Sequence, residues 1–260
     1  MDLGLDGRTA VVTGASRGIG LAITRGLAAH GARVVAGARR TSAELDQLAE
    51  QGQVRVIEVD LADPGGPARL VALAEQGPDI LVNNVGGAPA RTGGFLSITD
   101  EDWEASLTLN LMAAVRATRS ALPAMLAAGR GSIVTVCSVN AELPDPAVLD
   151  YSAAKAALAG FCKALSKEVG PRGVRVNTVS PGPVATDLWL GEHGVAQTVS
   201  HATGAKAGDV ARAAAHGSVT GRFSRPEEVA DLVLMLASDR TANVTGADFR
   251  IDGGLVPTWS

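Results

Sequence analysis

Val11-Val12-Thr13-Gly14-Ala15-Ser16-Arg17-Gly18-Ile19-Gly20 is the stretch on which the reading of the chain rests. It has the form of a strand end, a tight glycine turn and the first residues of a helix. Gly14 allows a sharp turn, Gly18 lets the backbone approach a bulky anionic ligand, and Gly20 lets the helix pack close on a sheet. The helix N-terminus then offers unpaired N–H groups to a pyrophosphate. The spacing is Gly-x3-Gly-x-Gly rather than Gly-x-Gly-x2-Gly. In a chain with 31 glycines a purely structural turn looks the same, so the flanking sequence has to decide.

Outward from the turn, strand and helix alternate. Strands are predicted at 9–13, 33–37, 54–59 and 80–83, with helices at 19–30, 45–51 and 67–75 between them. Gly31 closes the first helix, as glycine commonly does. A long helical stretch over 101–128 precedes a strand at 133–137. A second long helix at 151–169 precedes a strand at 174–179. Pro226 opens a helix to Leu236, with Ser224 as its expected N-cap, and a last strand covers 249–251. The strands are apolar throughout, which marks a parallel sheet covered on both faces. Residues 187–221 have little periodicity and read as one or two short helices over a pocket.

The 260 residues suit one large α/β domain or two small ones, and a 46% hydrophobic content supplies a sizeable core. Aromatics are only 3%, so that core is mostly Ala, Val and Leu. A formal charge of -4, with Arg39-Arg40 as the one short cationic run, points to neither nucleic acid nor an anionic membrane as partner. Cys137 and Cys162 lie in apolar surroundings. They read as free buried thiols, which suits a reducing compartment. No basic–apolar–cleavage pattern follows Met1 and no run reaches a membrane span. These features predict a soluble, cytoplasmic protein.

Tyr151 and Lys155 stand one helical turn apart and face the same way. A phenol is a poor acid or base near neutral pH, and a neighbouring ammonium stabilises its phenolate. Such a phenol can give a proton to a developing alkoxide or take one from an alcohol. Ser138 directly follows the fifth strand, at a sheet end where ligand sites form, and its hydroxyl could hold a carbonyl oxygen. Asn110 lies within an otherwise helical run and is either solvent-facing or placed for a purpose. Singly, each has a bland reading: a surface lysine, a loop cap, an exposed amide.

Taken in order along the chain, these residues resemble the short-chain dehydrogenase/reductase family. The resemblance covers nearly the whole chain. It runs through Thr13–Gly20, Asp60, Asn83-Asn84-Val85-Gly86, Asn110, Ser138, Tyr151-Ser152-Ala153-Ala154-Lys155, Asn177 and Pro181–Thr186. It continues through Gly221-Arg222-Phe223, Pro226–Ala230, Thr245-Gly246 and Asp252-Gly253-Gly254. It implies a single Rossmann-type domain over 1–260: a doubly wound parallel sheet, helices on both faces, and a small helical lid insert at about 187–221.

The resemblance also implies roles. Tyr151 would be the general acid/base, Lys155 would hold the nicotinamide ribose and favour the phenolate, and Ser138 would orient the substrate oxygen. Asn110 would interrupt its helix and complete a proton relay. Gly14, Ser16, Arg17, Gly18, Ile19 and Gly20 would cradle the dinucleotide. Asp60 would fix the adenine, with Leu61 beside it. Asn84, Val85 and Gly86 would line the adenosine ribose and the sheet end. Pro181, Gly182, Val184 and Thr186 would cradle the nicotinamide. Asn83 would be a structural tie between strands. Val85 stands where family members often have alanine, which implies a small local shift.

The second strand ends Val34-Val35-Ala36-Gly37-Ala38-Arg39-Arg40. A carboxylate there binds a ribose 2′-OH and repels a 2′-phosphate. NAD-preferring relatives carry it at the position of Ala38. With that acid missing, Arg17 and Arg39 are expected to select NADP(H) through charge-assisted hydrogen bonds, while Arg40 faces solvent.

The pocket rim is expected from Asn140, Glu142 and Leu143, from residues 87–91, and from Trp189. A 3-oxoacyl thioester, a polyketide-like ketone or a small cyclic ketone would each suit this frame. The similarity to 3-oxoacyl-carrier-protein reductases is general. An acyl carrier protein would want a basic patch by the entrance, for which Arg91, Arg130 and Arg172 are candidates. Two alternatives stand: an alcohol, sugar or steroid dehydrogenase working oxidatively, and a non-catalytic nucleotide-binding protein. The intact Asn110, Ser138, Tyr151, Lys155 set argues against the latter. No Gly-x-Ser-x-Gly elbow supports a hydrolase. His193 and His201 lack companion ligands, so no metal is assigned. The two long helices, by analogy with relatives, imply a homo-oligomer, expected as a homotetramer. The apolar tail Leu255–Ser260 is expected to pack on a neighbour.

Overall fold

Each strand of a doubly covered sheet must supply two apolar rows, one to each face. The protein, described over residues 2–258 in a computed structural model, meets that demand in the inner strands of its sheet. Its first half runs β1 (Thr9–Thr13), α1 (Gly18–Ala29), β2 (Arg33–Ala38), α2 (Ala43–Glu50), β3 (Val54–Glu58), α3 (Gly66–Val71), β4 (Ile80–Asn83), α4 (Asp100–Leu107) and α5 (Ala113–Ala128). The second half runs β5 (Gly131–Val136), α6 (Leu149–Val169), β6 (Val174–Pro181), α7 (Asp187–Leu190), α8 (Val195–Thr203), α9 (Ala207–His216), α10 (Pro226–Ala237) and β7 (Asp248–Ile251).

All seven strands lie parallel in one sheet, in the order β3-β2-β1-β4-β5-β6-β7. Ala10 and Val12 of β1 enter one core with Val34, Ile80, Val82, Val134 and Val136. Val11 enters the other with Val35, Leu81 and Ile133. The first core is closed by Ile23 and Leu27 of α1, Leu45 of α2, and Val229 and Val233 of α10. The second is closed by Leu70 of α3, Ala117 of α5, and Leu158 and Cys162 of α6. This is the Rossmann-type doubly wound architecture that the sequence predicts.

Helix and strand boundaries mostly fall within two residues of expectation. The exceptions have local causes. α3 ends at Val71, because Leu73, Ala74 and Gly77 each bond three residues back and tighten the chain toward Gly77, whose φ is +79°. Ser224 is not the N-cap of α10. It bridges to Val184, and its N–H donates to the Pro183 carbonyl at 3.0 Å. Arg225 takes the cap position instead, and its N–H donates to the Glu228 carboxylate at 2.7 Å. The stretch over 101–128 is not one helix: a π-helical turn at Thr108–Met112 separates α4 from α5.

The insert at 187–221 forms three short helices where one or two were expected. Ala196 is the one buried residue in α7, α8 and α9 together, so the insert adds almost nothing to the core. It is anchored by the rings of Trp189 and Phe223, whose centroids lie 5.3 Å apart. The tail turns back at Val256, whose N–H donates to Asp252 at 2.8 Å; Trp259 and Ser260, part of the predicted packing tail, lie outside the described residues. Among the described residues no helix is long and apolar enough to cross a membrane.

Candidate active site

Parallel sheets of this kind take ligands outside the carboxyl ends of their strands, where the strand order reverses. Here that point lies between β1 and β4. The glycine turn leaves β1 with Gly14 at φ +69°, a left-handed conformation that disfavours any side chain. A Cβ on Gly20 would overlap the Gly14 carbonyl oxygen, so α1 can start this close to the turn only as glycine. Arg17 occupies the N-cap of α1 with extended backbone and no side-chain capping bond. The first N–H groups of a 12-residue helix are therefore left without a side-chain cap.

Asn84 locks the turn to β4. Its amide donates to the carbonyls of Thr13 and Gly14 at 2.9 and 3.0 Å. Thr13 Oγ1 accepts from the N–H groups of Asn84 and Val85 at 2.8 and 3.1 Å and donates to the Val82 carbonyl. Thr13 stands in the motif read from the sequence but was given no role there, because its partners just past β4 are 71 and 72 residues away. Asn83 donates to Thr118 on α5 and Thr135 on β5, a tie across strands. On the far side of the cleft, Thr186 Cγ2 stands 3.0 Å from where a Cβ on Gly18 would be. The Gly182 N–H donates to the Ile251 carbonyl at the end of β7.

Tyr151 lies in the first turns of α6, half-buried, with Lys155 one turn on and only 3% exposed. Lys155 Nζ sits 5.6 Å from the Tyr151 ring centroid and donates to the Val136 carbonyl at 2.9 Å. Among the described residues it forms no ion pair with a carboxylate. Asn110 occupies the π turn, 2% exposed. Its Oδ1 accepts from the Gly87 N–H at 3.0 Å, and its Nδ2 donates to the carbonyls of Gly87 and Ser106. A Cβ on Gly86 would stand 2.8 Å from Asn110 Oδ1 and 3.6 Å from Lys155 Nζ. Gly86 is thus wedged against both. Ser138 ends the β5 segment and caps a short 3-10 turn: its Oγ accepts from the Asn140 N–H at 3.2 Å.

The predicted rim is partly assembled. Asn140 neighbours Ser138 and donates to Ser152 Oγ at 3.4 Å, while Leu143 is 42% exposed. Glu142 Oε2 lies 3.5 Å from Arg250 Nη1, so its charge is offset. Trp189 packs on Phe223. Asp60 is exposed after β3 and accepts from the Ala62 N–H, with Leu61 buried beside it. Arg39 is exposed just past β2, and Ser42 in the same loop donates to the Ser16 carbonyl at 2.7 Å. Arg17 Nη1 lies 3.7 Å from Asp187 Oδ2 across the cleft mouth.

The three candidate arginines of a carrier-protein patch do not come together. Arg130 pairs with Asp79 just before β4, at the amino ends of the strands and so opposite the cleft. Arg172 follows α6 just before β6, at that same end. Arg91 is closed into ion pairs with Asp102 and Asp150. Asp150 had no sequence signal, since its partner is 59 residues away.

The chain matches known proteins over almost its full length. Residues 14–256 match the sequence family described as Enoyl-(Acyl carrier protein) reductase. The 3-oxoacyl-[acyl-carrier-protein] reductase FabG of Escherichia coli is 35% identical, covering 97% of this chain and 99% of that protein. D-threitol dehydrogenase of Mycolicibacterium smegmatis is 38% identical, covering 97% and 94%. The crystal structure of L-sorbose reductase from Gluconobacter frateurii, complexed with NADPH and L-sorbose, superposes with a TM-score of 0.90 at 35% identity over the whole of both chains. With its ordered motifs, its strand order and these full-length likenesses, the chain belongs to the short-chain dehydrogenase/reductase family of oxidoreductases.

Proposed function

We propose that the protein is an NADP(H)-dependent carbonyl reductase in which Tyr151 supplies the proton. The observation that carries this reading is Lys155: an ammonium buried without a carboxylate, held between the Val136 carbonyl and the Tyr151 ring. Such a cation offsets negative charge that develops beside it during proton transfer. The cleft fits a dinucleotide, with an uncapped helix N-terminus at its floor and no acid at the end of β2. Arg17 and Arg39 are the residues for the 2′-phosphate. Gly14, Ser16, Gly18, Ile19 and Gly20 line the pyrophosphate, Asp60 and Leu61 the adenine, and Asn84, Val85 and Gly86 the ribose. Pro181, Gly182, Val184 and Thr186 stand along the nicotinamide. L-sorbose reductase, with its NADPH, supports the choice of cofactor.

The cofactor, when bound, supplies the hydride. The chain's own residues do the rest. Ser138 donates to the substrate oxygen and Tyr151 gives its phenolic proton as that oxygen becomes an alkoxide. Lys155 offsets the charge left on the phenolate. Asn110 holds the Gly86–Gly87 backbone against Lys155, in the line along which a proton returns. Asn140, Glu142, Leu143 and Trp189 bound the substrate. Replacing Tyr151 by Phe is expected to lower turnover by about 10²–10⁴-fold and leave cofactor affinity intact. Activity of Tyr151→Phe close to wild type in a nicotinamide-absorbance assay would remove Tyr151 from the role.

The substrate is a ketone of the 3-oxoacyl, polyketide-like or cyclic kind, the first carried on an acyl carrier protein. FabG supports that choice. Oxidation of a sugar alcohol is a second reading, favoured by the 38% identity to D-threitol dehydrogenase. A panel of ketones and alcohols with both cofactors separates the two. The exposed Ala153, Ala156, Ala157 and Gly160 on α6 support a homo-oligomer. The free, buried Cys137 and Cys162 support a reducing, cytoplasmic setting.

A further inference from the structure

Asp150 is completely buried, and it is the residue immediately before Tyr151. A carboxylate in that position is costly unless it is paired and fully hydrogen-bonded. Arg91 meets the requirement from the other side of the site. Its Nε lies 3.3 Å from each carboxylate oxygen, and its Nη2 lies 2.6 Å from Oδ2. Its Nη1 donates to Asp102 Oδ1 at 2.8 Å. Asp102 also closes the capping box of α4 with Thr99. The Arg91 N–H donates to the Ala147 carbonyl at 2.6 Å, just ahead of α6. Its side chain is 15% exposed and its guanidinium is engaged on both edges, so it is not free to bind a substrate anion.

The loop that carries Arg91 begins at the wall of the site. Gly86 and Gly87 are held by Asn110 and lie against Lys155. The segment is therefore fastened twice to the region of α6: at its start beside Lys155, and at its end to the residue before Tyr151. A bidentate guanidinium–carboxylate pair fixes orientation as well as distance, which a lysine does not.

We propose that Arg91 is a positioning residue for the reaction, acting through Asp150 to set the Tyr151 phenol against the Gly86–Gly87 wall. The proposal rests on the reductase reading above. It is tested in the full-length protein by measuring kcat, KM for NADPH, the isotope effect with deuterated NADPH, and the unfolding temperature. Four forms are compared: wild type, Arg91→Lys, Arg91→Met, and the double variant Arg91→Met with Asp150→Asn. Arg91→Lys keeps the charge and loses the fork, and its kcat is expected to fall while its KM for NADPH is unchanged. The double variant leaves no buried charge unpaired. It is expected to recover unfolding temperature over Arg91→Met, yet to stay about 10²-fold down in kcat, with a larger isotope effect, as misplacement of a reacting group predicts.

A purely structural pair would give the opposite pattern, with kcat returning alongside the unfolding temperature in the double variant. That result, or Arg91→Lys matching wild type in kcat, overturns the proposal even if Arg91→Met fails to fold. A wild type that reduces no ketone with NADPH removes the reductase reading itself, a failure seen before any variant is made.

Discussion

At the scale of the residue, the site turns on charges held in unusual places. Lys155 has a surface-lysine reading in the sequence, and the structure puts it inside the protein with a carbonyl and a ring for company. Tyr151 and Lys155 were legible because helical spacing brings such a pair to one face. Arg91 and Asp150 were not, because only the tertiary fold makes them neighbours. Asn84 also donates its amide hydrogens to the carbonyls of the glycine turn, a partnership no spacing rule contains. Arg39 is exposed just past a strand whose end lacks an acid, and the proposed function gives it a part in cofactor choice. Arg39→Ala is expected to lower the preference for NADPH over NADH in kcat/KM and to leave the unfolding temperature unchanged. An unaltered preference would assign the selection elsewhere.

At the scale of the element, the π turn at Thr108–Met112 and the start of α10 show where patterns read from sequence stop short. Apolar periodicity continues straight through 101–128, so nothing in it marks the one turn where Asn110 is swung inward. π bulges of this kind often sit at functional sites. At α10, Pro226 announced the helix, but the cap depends on Glu228 reaching back. Arg222 grips the same carboxylate through both terminal nitrogens at 2.8 Å and, with the Arg225 N–H, holds its pKa down at about 2. Phe223, between them, carries the insert through Trp189. A carboxyl whose pKa is depressed on folding stabilises the protein above its ordinary value and loses that contribution as pH falls toward the depressed one. Wild type is therefore expected to unfold at a higher temperature than Glu228→Gln at pH 7. The gap should narrow below pH 4.5 and close near pH 2. A gap that does not change with pH would mean that Glu228 acts through packing alone.

At the scale of the whole molecule, alternation of apolar strands and helices was enough to give a covered parallel sheet. The order of the strands was not read from the sequence, because pairing partners leave no periodic trace in it. The helices of the insert were hard to place for a plain reason: they are short and bury almost nothing in the core. The α6 face carrying Ala153, Ala156, Ala157 and Gly160 is exposed, as are Phe95 at 61% and Leu96 at 96%. Sedimentation at micromolar concentration is expected to give four chains per particle, and a monomer would contradict the assembly proposed. The bond from Gly182 to Ile251 has a reach beyond the cleft it borders. One bank of that cleft is propped by Ile251 at the end of the last strand, while the other is made by the turn that follows the first. In a growing polypeptide the glycine turn therefore exists long before its opposite wall is propped, and the cleft closes around a dinucleotide only once β7 has been made.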